Sequence, residues 1–564
     1  MHCIKQGVVL GNGVVEEKME LVELEEHLQD VRETFKSGKT RSFSWRRRQL
    51  EGLLEFLHDK EKDIFKALKQ DLGKHQVEAF RDEVGVLIKS VNFALSNLKK
   101  WMSPQKVHVP LSFFPASAEV LPEPLGVVLI FSSWNFPIGL ALEPLIGAIS
   151  AGNAMVLKTS ELAPASSNLI ANSIPMYLDN KAVKVIEGGQ NVGEQLLEHK
   201  WDKIFFTGSE RIGRIVMMKA AKHLTPVVLE LGGKCPAIVD NLSNLRDRKV
   251  AVRRIVGGKW GPCCGQACIG IDYLLVEEKF APILIDLLKS TIKRFYVDSD
   301  NISRIVNKQH FQRLCDLLNE PSVKSSIVFG GSSDYETLKV EPTILINPPL
   351  EALIMTEEIF GPLLIEFITE RPKPLAIYAF TNDENLKQRI IAETSSGSIT
   401  FNDTMIQYVC DGLPFGGVGL SGIGNYHGKF SFDAFSHGKA VLRRSFLIEF
   451  VCRLSCPPLW TSIEYSTTRS PSLRLLLRRR LHRDLTSSVM GDNVKEIKKE
   501  EEKPKTEPVA VVVESSPVLQ PPEKPLPGDC CGSGCVRCVW DVYYEELEAY
   551  NKSLALVSSD AKKQ

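Results

Sequence analysis

The chain has 564 residues, 43 % hydrophobic and 24 % charged, with 69 basic side chains set against 69 acidic ones. That length gives room for two to four domains and a large core, and zero net charge argues against nucleic acid or an anionic membrane surface as a partner. No apolar run is long enough to span a bilayer; the longest, Gly126 to Gly152, is interrupted by Ser132, Ser133, Asn135, Pro137 and Glu143.

The opening Met1-His2-Cys3-Ile4-Lys5-Gln6 lacks the apolar centre of a signal peptide, and thirteen cysteines cannot all pair. A reducing compartment is expected, the cytoplasm, with an organelle as the alternative. From about residue 16 to 105 the spacing predicts helices, with Leu50, Leu53, Leu54 and Leu57 three or four apart and Gly73 closing one of them. Residues 106–123 read as extended. Strands are then predicted at Gly126–Phe131, Ala154–Leu157, Val183–Glu187 and Lys203–Phe206, each followed by a polar or glycine turn and helical spacing. That alternation is the pattern of a parallel sheet with crossover helices. A second αβ region runs from Glu230 to about Gly422.

Two short motifs suggest covalent acyl chemistry. Cys268 lies in Gly265-Gln266-Ala267-Cys268-Ile269, and Glu230 in Leu229-Glu230-Leu231-Gly232-Gly233-Lys234. A thiolate is a strong nucleophile, and a carboxylate whose pKa is raised by burial can take a proton from water. Cys263 and Cys264 stand close by, either as packing residues or as thiols that capture an oxidised Cys268. Phe206-Thr207-Gly208-Ser209-Glu210-Arg211-Ile212-Gly213 ends a strand and opens a helix, where free backbone N–H groups suit a pyrophosphate. Taken alone it is more often plain punctuation. Lys158 and Glu161 close the strand of Ala154–Leu157, at the end where α/β sheets bind ligands. Asn135, in Ser133-Trp134-Asn135-Phe136-Pro137, offers an amide to a developing oxyanion, although a turn asparagine is the simpler reading.

Trp134-Asn135-Phe136-Pro137, Leu157-Lys158, Phe206-Thr207-Gly208-Ser209, Glu230-Leu231-Gly232-Gly233-Lys234, Gly265-Gln266-Ala267-Cys268, Glu357-Glu358-Ile359-Phe360-Gly361-Pro362 and Pro414-Phe415-Gly416-Gly417 follow one another in the order seen in aldehyde dehydrogenases. Over residues 20–446 the chain resembles the class 3 branch of that family, with wording closest to plant members. The resemblance implies an α/β fold with a Rossmann-like NAD-binding domain, an α/β catalytic domain and a small β oligomerisation arm. It implies NAD(P)-dependent oxidation of aldehydes to carboxylic acids in a homodimer. Cys268 would be the nucleophile, Asn135 the oxyanion donor and Glu230 the base that activates water. The cofactor would be held by Lys158, Glu161, Gly208, Ser209, Gly213, Glu358 and Phe360. Glu161 would favour NAD over NADP, although members of this branch often use both. No metal is expected there.

The domains expected are N-terminal helices and the cofactor-binding domain over 16–229, with the oligomerisation segment at 106–123 inside it. The catalytic domain follows at 230–422, then a return segment at 423–452, a disordered linker at 453–519 and a Cys-rich module at 520–555. Leu363-Leu364-Ile365 runs almost directly into Arg371-Pro372-Lys373-Pro374, where the family has more chain, and the stretch around Phe295-Tyr296-Val297-Asp298 is also short. Thr159 replaces a usual proline. Residues from about 520 to 552, including Cys530, Cys531, Cys535 and Cys538, resemble the oxidoreductase-like N-terminal domain family. Those thiols suit zinc, an iron–sulfur cluster or a redox pair. Seven arginines within 453–489, followed by Met490, suggest two genes joined in one chain. The competing readings are a silent relative of the dehydrogenases with a binding role, and a thiol or metal carrier acting through the C-terminal cysteines.

Overall fold

A computed structural model describes residues 21–110, 116–296, 302–366 and 373–444. The expected linker, the Cys-rich module, and the short connections after Leu364 and Tyr296 lie outside the described residues. The described residues divide into two compact units, one within 21–103 and 122–439, the other within 104–121 and 440–444.

In a small sheet, β1 (Gln105–Val107) pairs antiparallel with β2 (Ser117–Pro124), Gln105 opposite Val120 and Val107 opposite Ala118. A third strand, the C-terminal Ser436–Arg443, completes this small sheet.

The first unit opens with helices Leu21–Lys36, Phe43–Asp59, Glu61–Leu72 and Gly85–Trp101. Gly73, with φ 71°, caps the third, as its position predicts. Between Ala79 and Gly85 the backbone makes a π turn, Phe80–Val84. Next come β3 (Val127–Phe131), β4 (Ala154–Lys158), β5 (Val183–Ile186), β6 (Lys203–Thr207) and β7 (Val227–Glu230), all parallel. β3 and β4 are buried along their whole length, as expected of strands covered by helices on both faces. Alternate residues serve the two sides. Val128 and Ile130 join the core under helices Phe43–Asp59 and Gly139–Ala151, while Val127, Leu129 and Phe131 meet Leu24, Leu28 and Val31 of the first helix. This is the doubly wound arrangement, with ligand sites expected at the C-terminal strand ends.

The second sheet uses β8 (Cys235–Val239), β9 (Ile271–Val276), β10 (Ile327–Phe329), β13 (Thr343–Ile346), β14 (Leu363–Glu366), β15 (Ala376–Phe380) and β16 (Ser398–Phe401), in the order β10-β13-β14-β9-β8-β15-β16. A separate ribbon joins β11 (Ser333–Asp334) to β12 (Lys339–Val340). All neighbours in the seven-stranded sheet are parallel except β10 and β13. β14 and β15, on either side of the shortened connection, both keep their places in this sheet. One feature departs from the expected all-parallel first sheet: β17 (Gly422–Ile423) returns as an antiparallel edge strand, with Gly422 opposite Glu230.

Candidate active site

Glu230 ends β7, and Cys268 lies in the turn that leads into β9, so the nucleophile and base candidates come from different sheets. Both line one cavity of about 100 Å³, together with Phe136, Leu140, Ile269, Met405, Tyr408, Phe415 and Tyr426. The wall is mostly apolar and aromatic. Arg81, Asp82, Pro262, Met405 and Val409 are shared with a wider chamber of about 980 Å³, which also reaches the Lys89–Asp411 and Arg254–Asp403 ion pairs.

Burial pushes the Cys268 thiol up to about 12, helped by the negative charges of Glu358 and Glu230. Glu230 is 3 % exposed, neither of its carboxyl oxygens has a hydrogen-bond partner, and burial alone raises it well above the ordinary carboxyl range. A thiol and a carboxyl, both made more basic by loss of water, thus share one cavity. Asn135 is buried, and its Nδ2 donates to the carbonyl of Gln266 at 3.0 Å, two residues before Cys268. The Cys268 carbonyl in turn accepts from the Cys235 thiol at 3.4 Å.

On the cofactor side, Ser209 caps helix Glu210–Ala221 and accepts from Ile212 N–H at 3.5 Å. A Cβ at Gly208 would lie 2.6 Å from the Phe206 ring, and one at Gly213 2.9 Å from Leu231. Both glycines therefore let the helix N-terminus sit close over the strand ends. Lys158 Nζ pairs with Glu161 Oε2 at 2.6 Å. Glu358 is pushed up to about 8, first by burial and then by Asp272, and its carboxyl packs so closely on Gly232 that a Cβ there would sit 2.3 Å away. Phe360 adopts a left-handed φ of 48° and meets Trp134 edge-on at 5.3 Å. Such a conformation in a non-glycine residue is held by its surroundings. Here Lys234 donates to the carbonyls of Ile354 and Glu357, Asp272 accepts from Ile359 N–H, and Trp260 donates to the carbonyl of Pro362.

The structure thus assembles every candidate residue around the C-terminal ends of β3, β4, β6 and β7 and the turn before β9. It also brings in residues that sequence reasoning missed. Lys74 and Glu83 form a wholly buried ion pair at 2.6 Å, and Glu78 is buried beside them. Glu143 is buried beside Ser90, and His427 sits 3.9 Å from Glu143; among the described residues the Tyr426 hydroxyl and His427 Nε2 find no hydrogen-bond partner. The available signal was charge on the apolar face of a helix, which the π turn blurs. Cys263 and Cys264 are fully buried, and burial raises both thiols, Cys264 to about 12. They fit the packing alternative, because oxidation favours accessible thiolates.

Among the described residues no helix is long and apolar enough to cross a membrane.

Comparison with known proteins matches residues 17–441 to the model of the aldehyde dehydrogenase family, and residues 514–559 to that of the oxidoreductase-like protein, N-terminal, family. Aldehyde dehydrogenase family 3 member F1 of Arabidopsis thaliana is 57 % identical over 461 residues, covering 79 % of this chain and 95 % of the relative. The chloroplastic member I1 of the same plant is 50 % identical over 432 residues, 74 % of this chain and 78 % of the relative. The substrate-bound state of Staphylococcus aureus AldH superposes with a TM-score of 0.73 at 41 % identity, over 76 % of this chain and 96 % of that one.

Proposed function

This chain belongs to the aldehyde dehydrogenase family and oxidises aldehydes with NAD or NADP, and we propose that Cys268, Asn135 and Glu230 carry the reaction. The observation behind this reading is the shared cavity, where a partly exposed thiol and a buried carboxyl without partners meet within an apolar wall.

Cys268 gives up its proton to solvent base, and the thiolate Sγ attacks the aldehyde carbon as the carbonyl electron pair moves to oxygen. The resulting thiohemiacetal oxyanion takes hydrogen bonds from the free Asn135 N–H and from the backbone N–H of Cys268. A dinucleotide held at this site would supply the hydride acceptor; the adduct carbon gives up its hydride as the thioester carbonyl forms. Glu230 then takes a proton from water, the water oxygen attacks the thioester carbon, and the carboxylic acid leaves as the C–S bond breaks.

The residues present suit a dinucleotide. Gly208 and Ser209 place the N-terminus of helix Glu210–Ala221 where backbone N–H groups and the helix dipole favour a pyrophosphate, with Gly213 permitting the close packing. Lys158 and Glu161 would take the adenosine ribose, Glu358 and Phe360 the nicotinamide ribose. The Glu161 carboxylate would repel a 2′-phosphate, which favours NAD.

The apolar wall suits medium or long-chain and aromatic aldehydes. Cys268→Ala should abolish NADH formation with a panel of such aldehydes while leaving NAD binding intact; more than trace turnover would remove Cys268 from the mechanism. The family match favours this enzymatic reading over a silent scaffold or a thiol carrier.

We further propose a homodimer paired through the exposed strands of the small sheet, and a cytoplasmic location, with the chloroplastic relative keeping an organelle as the alternative. The interval between the two family matches, 442–513, supports the joining of two genes. Peptides spanning Leu485 to Lys499 in a tissue digest would instead establish one continuous protein.

A further inference from the structure

Lys74, Glu78 and Glu83 are 1 %, 8 % and 0 % exposed, and the mechanism above uses none of them. Desolvating ionisable side chains is costly, and a buried ion pair is weak evidence for stability alone. Each of the three ends on the two loops that carry the reacting centre. Lys74 Nζ donates to the Asn135 carbonyl at 2.8 Å and pairs with Glu83 Oε1 at 2.6 Å. The other Glu83 oxygen accepts from Ile138 N–H at 2.9 Å and Gly139 N–H at 3.0 Å. The Asn135 loop is therefore held at residue 135 and again three and four residues later. Glu78 Oε1 accepts from Cys263 N–H at 2.7 Å, and Oε2 from the Ser303 hydroxyl at 2.8 Å, which fixes the start of the turn that leads to Cys268. The two loops meet where Asn135 Nδ2 donates to the Gln266 carbonyl.

Burial works to lower the Lys74 pKa, but Glu83, Cys263 and Glu78 outweigh it and hold the ammonium charged. The π turn Phe80–Val84 carries Glu83; in a regular α-helix Glu78 and Glu83 would lie about 140° apart.

We propose that Lys74, Glu83 and Glu78 are positioning residues for oxyanion stabilisation. The Lys74–Glu83 pair orients the Asn135 peptide, Glu78 sets the Cys268 turn, and together they bring the two N–H donors to one point. Donors of this kind act only within a few tenths of an ångström of the oxygen they serve. The inference rests on the reading of Asn135 as an oxyanion donor.

The test compares two reactions of Cys268. Aldehyde oxidation, read as the pre-steady-state NADH burst, passes through an oxyanion. Alkylation by iodoacetamide, followed by the mass of the Cys268 peptide, uses the same sulfur without one. In Lys74→Met/Glu83→Gln the ion pair is replaced by neutral side chains of similar size, and the amide oxygen can still accept from Ile138 and Gly139. The burst rate constant should fall about 10- to 100-fold, while the alkylation rate and NAD affinity stay within about twofold of wild type, the spread of a neutral change. Asn135→Ala should show the same split. A wild-type burst in the double variant, beside a slow one in Asn135→Ala, overturns the proposal. So does a parallel fall in burst and alkylation, which marks a general loss of structure. An unchanged burst in Asn135→Ala overturns the oxyanion reading and this proposal with it. If the double variant does not fold, the isosteric Glu78→Gln supports the same comparison with the same outcomes.

Discussion

Cys268 and Glu230 face the same physical problem, since each is useful only when ionised and each has lost most of its water. Burial pushes the thiol up to about 12, so it is protonated near pH 7 in the free enzyme, and it raises the carboxyl well above its usual range. Raising the pH removes their protons and populates the reactive forms. Accordingly, kcat/KM for an aldehyde should climb from pH 6 to pH 9; a flat profile would contradict these environments. Glu230→Gln separates the two halves of the cycle. Acylation should proceed to a burst of about one NADH per active site, followed by a steady rate lowered by at least about 100-fold, in keeping with loss of a general base; quenched-flow measurement of NADH checks both phases. Cys268, Glu230 and Asn135 were legible in the sequence because each sits in a short turn beside glycine, proline or an aromatic residue, where local geometry and chemistry coincide. Lys74, Glu78 and Glu83 were not, because a charged residue on a helix reads as solvated until the helix is seen to be buried.

Among the elements, the strands of the first sheet could be read directly. Val127–Phe131 and Ala154–Lys158 are short runs of mostly apolar residues, and burial on both faces leaves no alternation to misread. The two-residue β17 was invisible, since no periodicity exists over that length, and its antiparallel pairing depends on where the chain returns after the second sheet. The π turn was hidden for a related reason: one extra residue per turn breaks the 3.6-residue period by which helices are recognised. The connection from β14 to β15 has nine residues, 367–375, between strands separated by two others in the sheet. Parallel strands are ordinarily joined by a dozen residues or more, usually with a helix. Inserting a helix-bearing crossover of about twelve further residues here should raise the melting temperature by about 1 °C per kcal/mol gained in a protein of this size. Scanning calorimetry of the insertion variant against the natural chain measures this, and a lower melting temperature would mean the present connection is already well packed.

For the whole molecule, the buried carboxyls link stability to pH. Glu143 and Glu358 are both pushed up to about 8, chiefly by burial, from the ordinary value of 4.5. The folded state binds these protons more tightly than the unfolded chain does. The stability they lend is complete below about pH 4.5 and is lost as pH rises through about 8. The melting temperature should therefore fall between pH 5 and pH 8, and Glu143→Gln should make that decline shallower. Assembly was legible only as an expectation, because exposed strands mark a possible edge without naming the partner. A closed twofold pair is the commonest outcome for such edges. Analytical ultracentrifugation at micromolar concentration should give a dimer, and a monomer alone would remove that proposal.

The reaction cavity and the outer chamber share Arg81, Asp82, Pro262, Met405 and Val409, so the two spaces adjoin along one wall. An acyl tail long enough to lie along that wall would stop it like a cork. Incoming water and departing acid would then compete with the tail for one passage, and an aldehyde that fits best on the way in would be the slowest to clear. Selectivity for chain length would then be written in traffic through a doorway as much as in the grip of the pocket.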